Sequence, residues 1–289
     1  MTEQELQRQR AHQWRVDGDA VRTIEQARDF IAGVSFCLIY PERSLPLVPT
    51  FIGAYAGSTD NLPDAKHAFA DPRTREAVSL VVSLLRERNA YEMNLFGDAG
   101  LVTSAAAFPY FYALVGDRNP KAAPKLRAQG ASISPLARTV FEAIQKHGPL
   151  NKERTRKLVG GEASSAALDR ALGELWSILK ITRVDYREKE GAFWDVMYRW
   201  SPQMVKEGLN ISEPEAISAL LGKYLEAVTA ATQEEIEQLF SHFTSRAKVR
   251  DAVNALLSAR ELALVAASPR TLICLAETPE TPERRRLHG

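Results

Sequence analysis

One order of elements occurs twice in this chain, and it constrains the fold more than any single residue does. From Ser134, SPLARTVFEAIQKHG places a hydroxyl at a helix N-cap, Pro135 at the first helical position and Leu136, Val140, Phe141 and Ile144 at helical spacing, until Gly148 and Pro149 stop it. A short second helix follows, with Asn151 as cap and Lys152, Arg154, Arg156 and Lys157 outward, and the chain turns at Gly160 and Gly161. EASSAALDRALGELWSILKI predicts a third helix that buries Leu168, Leu172, Leu175, Trp176 and Leu179 and exposes Ser164, Ser165, Asp169 and Arg170 in its first turns. The stretch from Ile181 to Trp200 then alternates through Ile181, Val184 and Tyr186, turns at Arg187 to Gly191, and returns through Phe193, Val196, Tyr198 and Trp200. Three helices followed by a two-stranded hairpin make a winged helix.

The same order recurs after Glu213, about 75 residues on and with little sequence likeness: three helical stretches, then strands at LALVAAS and RTLICLAE. The N-terminal third is less regular. VRTIEQARDFIAGVSF predicts a helix capped by Thr23, DPRTREAVSLVVSLLRERN a longer one, and AYEMNLF with LVTSAAAFPYFYALV a pair of strands around Gly97 to Gly100. The expected class is α+β, mostly α: tandem winged-helix (helix-turn-helix) units with small β-hairpin wings. Seams rich in Pro, Gly and small polar residues at 116–135 and 201–215 set the expected divisions: a divergent N-terminal domain over 1–133, a middle domain over 134–208, a C-terminal domain over 209–276 and a flexible tail over 277–289 that carries Arg284, Arg285 and Arg286.

With 45% apolar and 25% charged residues, a chain of 289 can bury sizeable cores, which excludes collagen, coiled coil and wholesale disorder. Its 37 basic and 36 acidic residues leave a net charge of +1, so any polyanion site is local. Only the middle segment is basic, with 13 Lys and Arg against 10 Asp and Glu. Two cysteines, Cys37 and Cys274, without CxxC or a histidine cluster, argue against a disulfide framework and a thiolate zinc site and fit a reducing, cytoplasmic setting. The polar start lacks the apolar core of a signal peptide, and no run of about 18 apolar residues suggests a membrane span. No phosphate-loop or dinucleotide pattern calls for a nucleotide cofactor, and the five histidines are too scattered to hold a metal. No cofactor is therefore expected.

A winged helix on DNA lays its third helix in the major groove while neighbouring cations neutralise phosphates. The middle unit has these groups: Ser164, Ser165 and Arg170 on the third helix, Lys152, Arg154, Arg156 and Lys157 on the second, and Arg187 and Lys189 at the wing tip. Double-stranded DNA, possibly damaged, is the expected partner. An ordinary solvated face is the competing reading, because Glu153 and Glu162 stand among these cations. In the last unit, Glu234, Glu235 and Glu237 on the second helix would repel a phosphate backbone, which favours scaffolding there. Trp176, Trp194 and Trp200 read as core residues.

The order of parts, together with FCLIYP at Phe36 to Pro41, PYFYAL at Pro109 to Leu114 and HGPL at His147 to Leu150, resembles a divergent branch of the bacterial DNA glycosylases that unhook interstrand crosslinks, the azinomycin-resistance type. The resemblance implies tandem winged helices over roughly residues 20 to 275. It also implies a Gln-x-Gln or Gln-x-Asp pair in the N-terminal stretch, whose side-chain oxygens position water and stabilise charge on the sugar as the base leaves. Ser35 to Tyr40 contain no Gln, Asn, Asp or Glu, and Glu42 beside Pro41 and Arg43 reads as a surface acid. The expected function is binding of duplex or damaged DNA without the usual catalytic pair. The alternatives are an active glycosylase with a relocated group and a winged-helix protein-interaction or regulatory module. A transcription regulator ranks lower, since no heptad stripe offers a dimerisation helix.

Overall fold

The computed structural model describes residues 2–68, 71–126, 133–267 and 270–276. Part of the first seam, 127–132, and the tail with its arginine cluster lie outside them. Helix α1 (Glu3–Gln13) comes first. The first unit follows as α2 (Ile24–Val34), β1 (Phe36–Leu38), α3 (Phe51–Ala56), α4 (Pro72–Arg86), β2 (Ala90–Met93) and β3 (Leu101–Ser104). Helix α5 (Phe108–Val115) leads to the middle unit, α6 (Pro135–His147), β4 (Leu150–Asn151), α7 (Lys152–Leu158), α8 (Ser165–Ser177), β5 (Ile181–Arg187) and β6 (Gly191–Val196). Two connecting helices, α9 (Met197–Trp200) and α10 (Pro202–Asn210), precede the last unit: α11 (Glu213–Val228), β7 (Ala230–Ala231), α12 (Gln233–Phe240), α13 (Arg246–Ser258), β8 (Leu262–Ala267) and β9 (Arg270–Leu275).

All three units share one plan, helix, short strand, two helices, hairpin, and in each antiparallel sheet the last strand lies between the other two. The chain is α+β with tandem winged helices. Local chemistry sets the helix starts. Thr50, Asn151 and Thr232 cap the second helices, and Asp71, Ser164 and Ser245 the third, each accepting a hydrogen bond from a first-turn amide.

Several stretches differ from the sequence pattern. In LVTSAAAFPYFYALV only Leu101–Ser104 is strand; Phe108–Val115 is helix α5, with Phe108, Pro109, Phe111 and Tyr112 buried. An element apolar on most sides shows no helical stripe. The 201–215 seam is largely helical, because Pro202 and Pro214 stand in the first turns of α10 and α11, where proline needs no amide partner. Tyr198 and Trp200 belong to α9 rather than to the returning strand.

The cores explain which units are joined firmly. Phe36, Leu38, Tyr91, Met93 and Leu101 on one face of the first sheet pack with Phe108 and Phe111 of α5 and with Leu220, Tyr224, Phe240 and Val249 of the last unit. The middle unit keeps its own core around Val140, Phe141, Ile144, Leu168, Leu172 and Leu175. Each large apolar side chain so buried contributes about 1.5–3 kcal/mol.

Helix α1, polar but for Ala11 and the buried Leu6 and unannounced by periodicity, fastens the ends of the chain together. The last carbonyls of α11 have no partner within their helix, and α1 with the residue after it supplies donors to them. Gln13 Nε2 bonds the Glu226 carbonyl at 2.5 Å, Trp14 Nε1 that of Ala227 at 2.7 Å, and the buried Arg10 that of Val228 at 2.8 Å and, beyond the helix in β7, that of Ala230 at 2.5 Å. Arg10 also sits at the negative end of the α11 dipole. Arg10→Met is expected to destabilise the protein by about 2–3 kcal/mol, read as a lower urea midpoint, whereas Arg8→Met on the exposed side of α1 is expected to change it by less than about 0.5 kcal/mol.

Candidate nucleic-acid interface

In the middle unit, Gly160 and Gly161 turn the chain between α7 and α8 at φ +110° and +76°, which L side chains rarely adopt. Ser164 then caps α8, accepting from the Ala167 amide at 3.2 Å. Leu168, Leu172 and Leu175 point into the core, so Ser165, Ala166, Asp169 and Arg170 stay outside, and the first turns of the third helix are open to solvent. On α7 the single buried residue is Thr155, which leaves Arg154, Arg156 and Lys157 exposed and Lys152 at the margin. Arg187 and Lys189 stand at the exposed wing tip.

Carboxylates meet several of these cations. Lys152 pairs with Asp169 at 2.6 Å, Lys157 with Glu153 at 2.7 Å, Arg154 with Glu190 at 3.5 Å, and Arg187 with Asp185 at 3.1 Å and Glu190 at 3.2 Å. Arg156, Arg170 and Lys189 have no ion pair among the described residues. Exposed pairs of this kind are worth about 0–1 kcal/mol, so a phosphate can displace the carboxylate at small cost. In the last unit Lys248 is tied to Glu213 at 2.8 Å and Arg250 to Glu237 at 3.0 Å on two oxygens, which makes its third helix a poorer cationic face.

Sequence reasoning missed the polar seam between the first and middle units. Glu92 of β2 is 3% exposed on its side chain, and Arg183 of β5 grips both of its oxygens, Nε lying 2.7 Å from Oε2. Trp176 Nε1 donates to the Glu92 carbonyl at 3.0 Å. Arg86, at the end of α4, reaches Asp185 at 2.6 Å and the Tyr186 carbonyl at 3.2 Å, so β5 lies along the third helix of the first unit. The only signal in the sequence was a charge at position 183 inside an otherwise alternating strand, where the pairing register shifts between Arg183 and Asp185.

Burial pushes the Asp185 carboxyl up, but hydrogen bonds from Arg86, Arg187 and the Tyr186 amide outweigh it and hold the group below its ordinary value. A carboxyl lowered in the folded state adds stability above its unfolded pKa of about 3.9 and loses it as pH falls through the folded value. The urea midpoint of wild type is therefore expected to exceed that of Asp185→Asn at pH 6, with the gap narrowing as pH falls below the unfolded value of about 3.9.

The N-terminal stretch is packed away. Phe36, Cys37 and Leu38 are at most 1% exposed, and burial pushes the Cys37 thiol up, so it stays protonated. Glu42 accepts from the amide and hydroxyl of Ser44 at 3.2 Å. Among the described residues no group of His, Cys, Asp and Glu could hold a metal ion, and no helix is long and apolar enough to cross a membrane.

The profile described as "DNA glycosylase AlkZ-like" matches residues 69–287, about three quarters of the chain. The chain belongs to the AlkZ-like family. Phe36 to Pro41 precede the matched region. Streptomyces sahachiroi DNA glycosylase AlkZ has a similar solved structure, with a TM-score of 0.59 and 14% sequence identity over 96% of this chain and 70% of that one. At that identity the likeness establishes the AlkZ fold. No curated protein matches the sequence. Membership in an AlkZ-like DNA glycosylase family points to DNA as the partner and to DNA repair as the setting.

Proposed function

We propose that the protein binds duplex DNA through its middle winged helix, with α8 in the major groove, Lys152, Arg154, Arg156 and Lys157 on the flanking phosphates and Arg187 and Lys189 at the wing, and that it does so without releasing a base. The observation that carries this reading is the open face of α8: Ser164, Ser165 and Arg170 are exposed, and Arg156, Arg170 and Lys189 form no ion pair with a described carboxylate. Small hydroxyls allow the helix to approach the backbone closely, and free guanidinium groups suit phosphate or a guanine edge. The noncatalytic half rests on the buried strand Phe36–Leu38, which offers no side-chain oxygen to a sugar. Residues 1–133 and 209–276 then serve as a joined scaffold, in keeping with their shared core.

A duplex carrying one alkylated base tests both halves. A mobility shift without strand cleavage after alkali is the expected result; alkali-dependent cleavage would overturn the noncatalytic half. A second reading, hydrolysis by a relocated acid, is favoured by one observation: Glu92 and Cys37 both pair with Val102, which places a carboxylate on the sheet that holds the N-terminal stretch. It requires the cleavage to vanish in Glu92→Gln. Arg183 already engages both oxygens of that carboxylate, which is why the noncatalytic reading stands first.

A further inference from the structure

The outer hairpin strands of the three units, β2, β5 and β8, are not equally guarded. Strands β2 and β5 carry charges, and the first and middle units meet along them through Arg183 on Glu92 and Arg86 on Asp185. Strand β8 reads LALVAA, with no charge, proline or glycine to blunt its edge, and within its sheet it pairs with β9 alone. Leu264 at its middle is 61% exposed, more than any other large apolar side chain among the described residues. The ladder shows which backbone groups are free. The Ala276 amide donates to the Glu261 carbonyl at 3.0 Å, so that carbonyl faces β9, and by alternation the N–H and C=O groups of Leu262, Leu264 and Ala266 face away from it. None of these groups has a partner among the described residues.

We propose that β8 pairs antiparallel with β8 of a second copy of this chain, joining the two three-stranded sheets across a two-fold axis at Leu264. Unpaired edge groups call for a strand, and an uncharged apolar edge calls for an apolar one. Within this chain β3, β6 and β9 lie inside their sheets, β1 is buried, β4 and β7 are two residues long, and β2 and β5 carry charges. The matching strand is β8 itself. The free groups also set the register. Opposing Leu264 to the partner's Leu264 opposes Leu262 to Ala266, so every outward residue of the strand meets an outward residue. A slip of one residue sets outward groups against inward ones, and any longer slip sets Leu262 or Ala266 against a residue outside β8. Charge agrees with this register. Glu261 of each copy comes beside the partner's Ala267, whose neighbour across the β8–β9 ladder is Arg270, so two exposed opposite charges stand on one face with a small residue between them. Arg270 already meets Glu3 at 2.7 Å, so this contact orients the strands more than it holds them. An edge of six residues falls short of the roughly 1,200 Å² of a standard interface, so the dimer is expected to be weak, half formed at about 10–100 µM.

The pairing is independent of the duplex-binding reading and is tested without DNA. Sedimentation velocity on the full chain, from about 2 to about 200 µM, compares wild type with Leu264→Lys, Ala266→Pro and Leu158→Lys. Leu264→Lys sets like charges opposite each other at the axis. Ala266→Pro removes an outward N–H and leaves the β8–β9 ladder intact. Leu158→Lys takes an exposed leucine from α7 and controls for general stickiness. All three positions are exposed, so each variant is expected to melt as wild type does. Wild type is expected to pass from one chain mass to two and to stop there, because the pairing uses the free edge of both copies. Each β8 variant is expected to need at least about tenfold more protein, and Leu158→Lys to match wild type. Wild type that stays at one chain mass throughout overturns the proposal, as does association that continues past two chains or is lost equally in Leu158→Lys. Association at wild-type strength in either β8 variant overturns strand pairing at this edge. A chain cut after Ala276 that dimerises when the full chain does not would give the edge to the chain's own end instead of a second copy.

Discussion

Duplex binding is expected to fall by about tenfold to a hundredfold at 0.1 M salt when Arg154, Arg156 and Arg170 are replaced together by alanine, with a salt dependence shallower by about two to three. Arg156 and Arg170 carry most of the effect, because Arg154 already faces Glu190 at 3.5 Å and releases less on meeting a phosphate. All three side chains are exposed, so the variant is expected to keep its melting temperature, which separates lost contact from lost fold. Arg246, Lys248 and Arg250 on the last unit make the matching control. Two of those three are held by carboxylates, and their removal is expected to cost less than about threefold.

The largest loss of stability is expected from Arg183→Leu, at about 3 kcal/mol. Glu92 is 3% exposed, so removing its partner strands a buried carboxylate; the figure lies at the low end for buried pairs because 27% of the Arg183 side chain remains in water. Combining it with Glu92→Leu removes both charges, and most of the loss is expected to return. Urea unfolding of the four forms gives the coupling directly. Retention of the full loss in the double variant would mean that the seam is held by the packing of Trp176 and Arg86 rather than by the ion pair.

How far the sequence could be read depended on whether an element kept one face wet. Helix α8 and hairpin β5–β6 each have a buried and an exposed side, so spacing and turn residues found both, although the helix closes at Ser177 and the returning strand at Val196, short of the Trp200 to which the alternation carried it. Helix α5 is buried on most of its surface and was hidden in an apolar run, while α1 is nearly all polar and owes its place to partners more than two hundred residues away. The expected interface residues come from elements adjacent in sequence, which is why the pattern could gather them. Glu92 and Arg183 come from two units, and only the packing of β5 against the first unit brings them together.

The most direct test of the central claim is the salt dependence of wild-type binding to an undamaged duplex. With α7, α8 and the wing on the backbone, the logarithm of the association constant is expected to fall against the logarithm of salt with a slope between about −3 and −6, the range for roughly three to seven phosphate contacts. A slope near zero, or no binding at about 20 mM salt, would contradict the account.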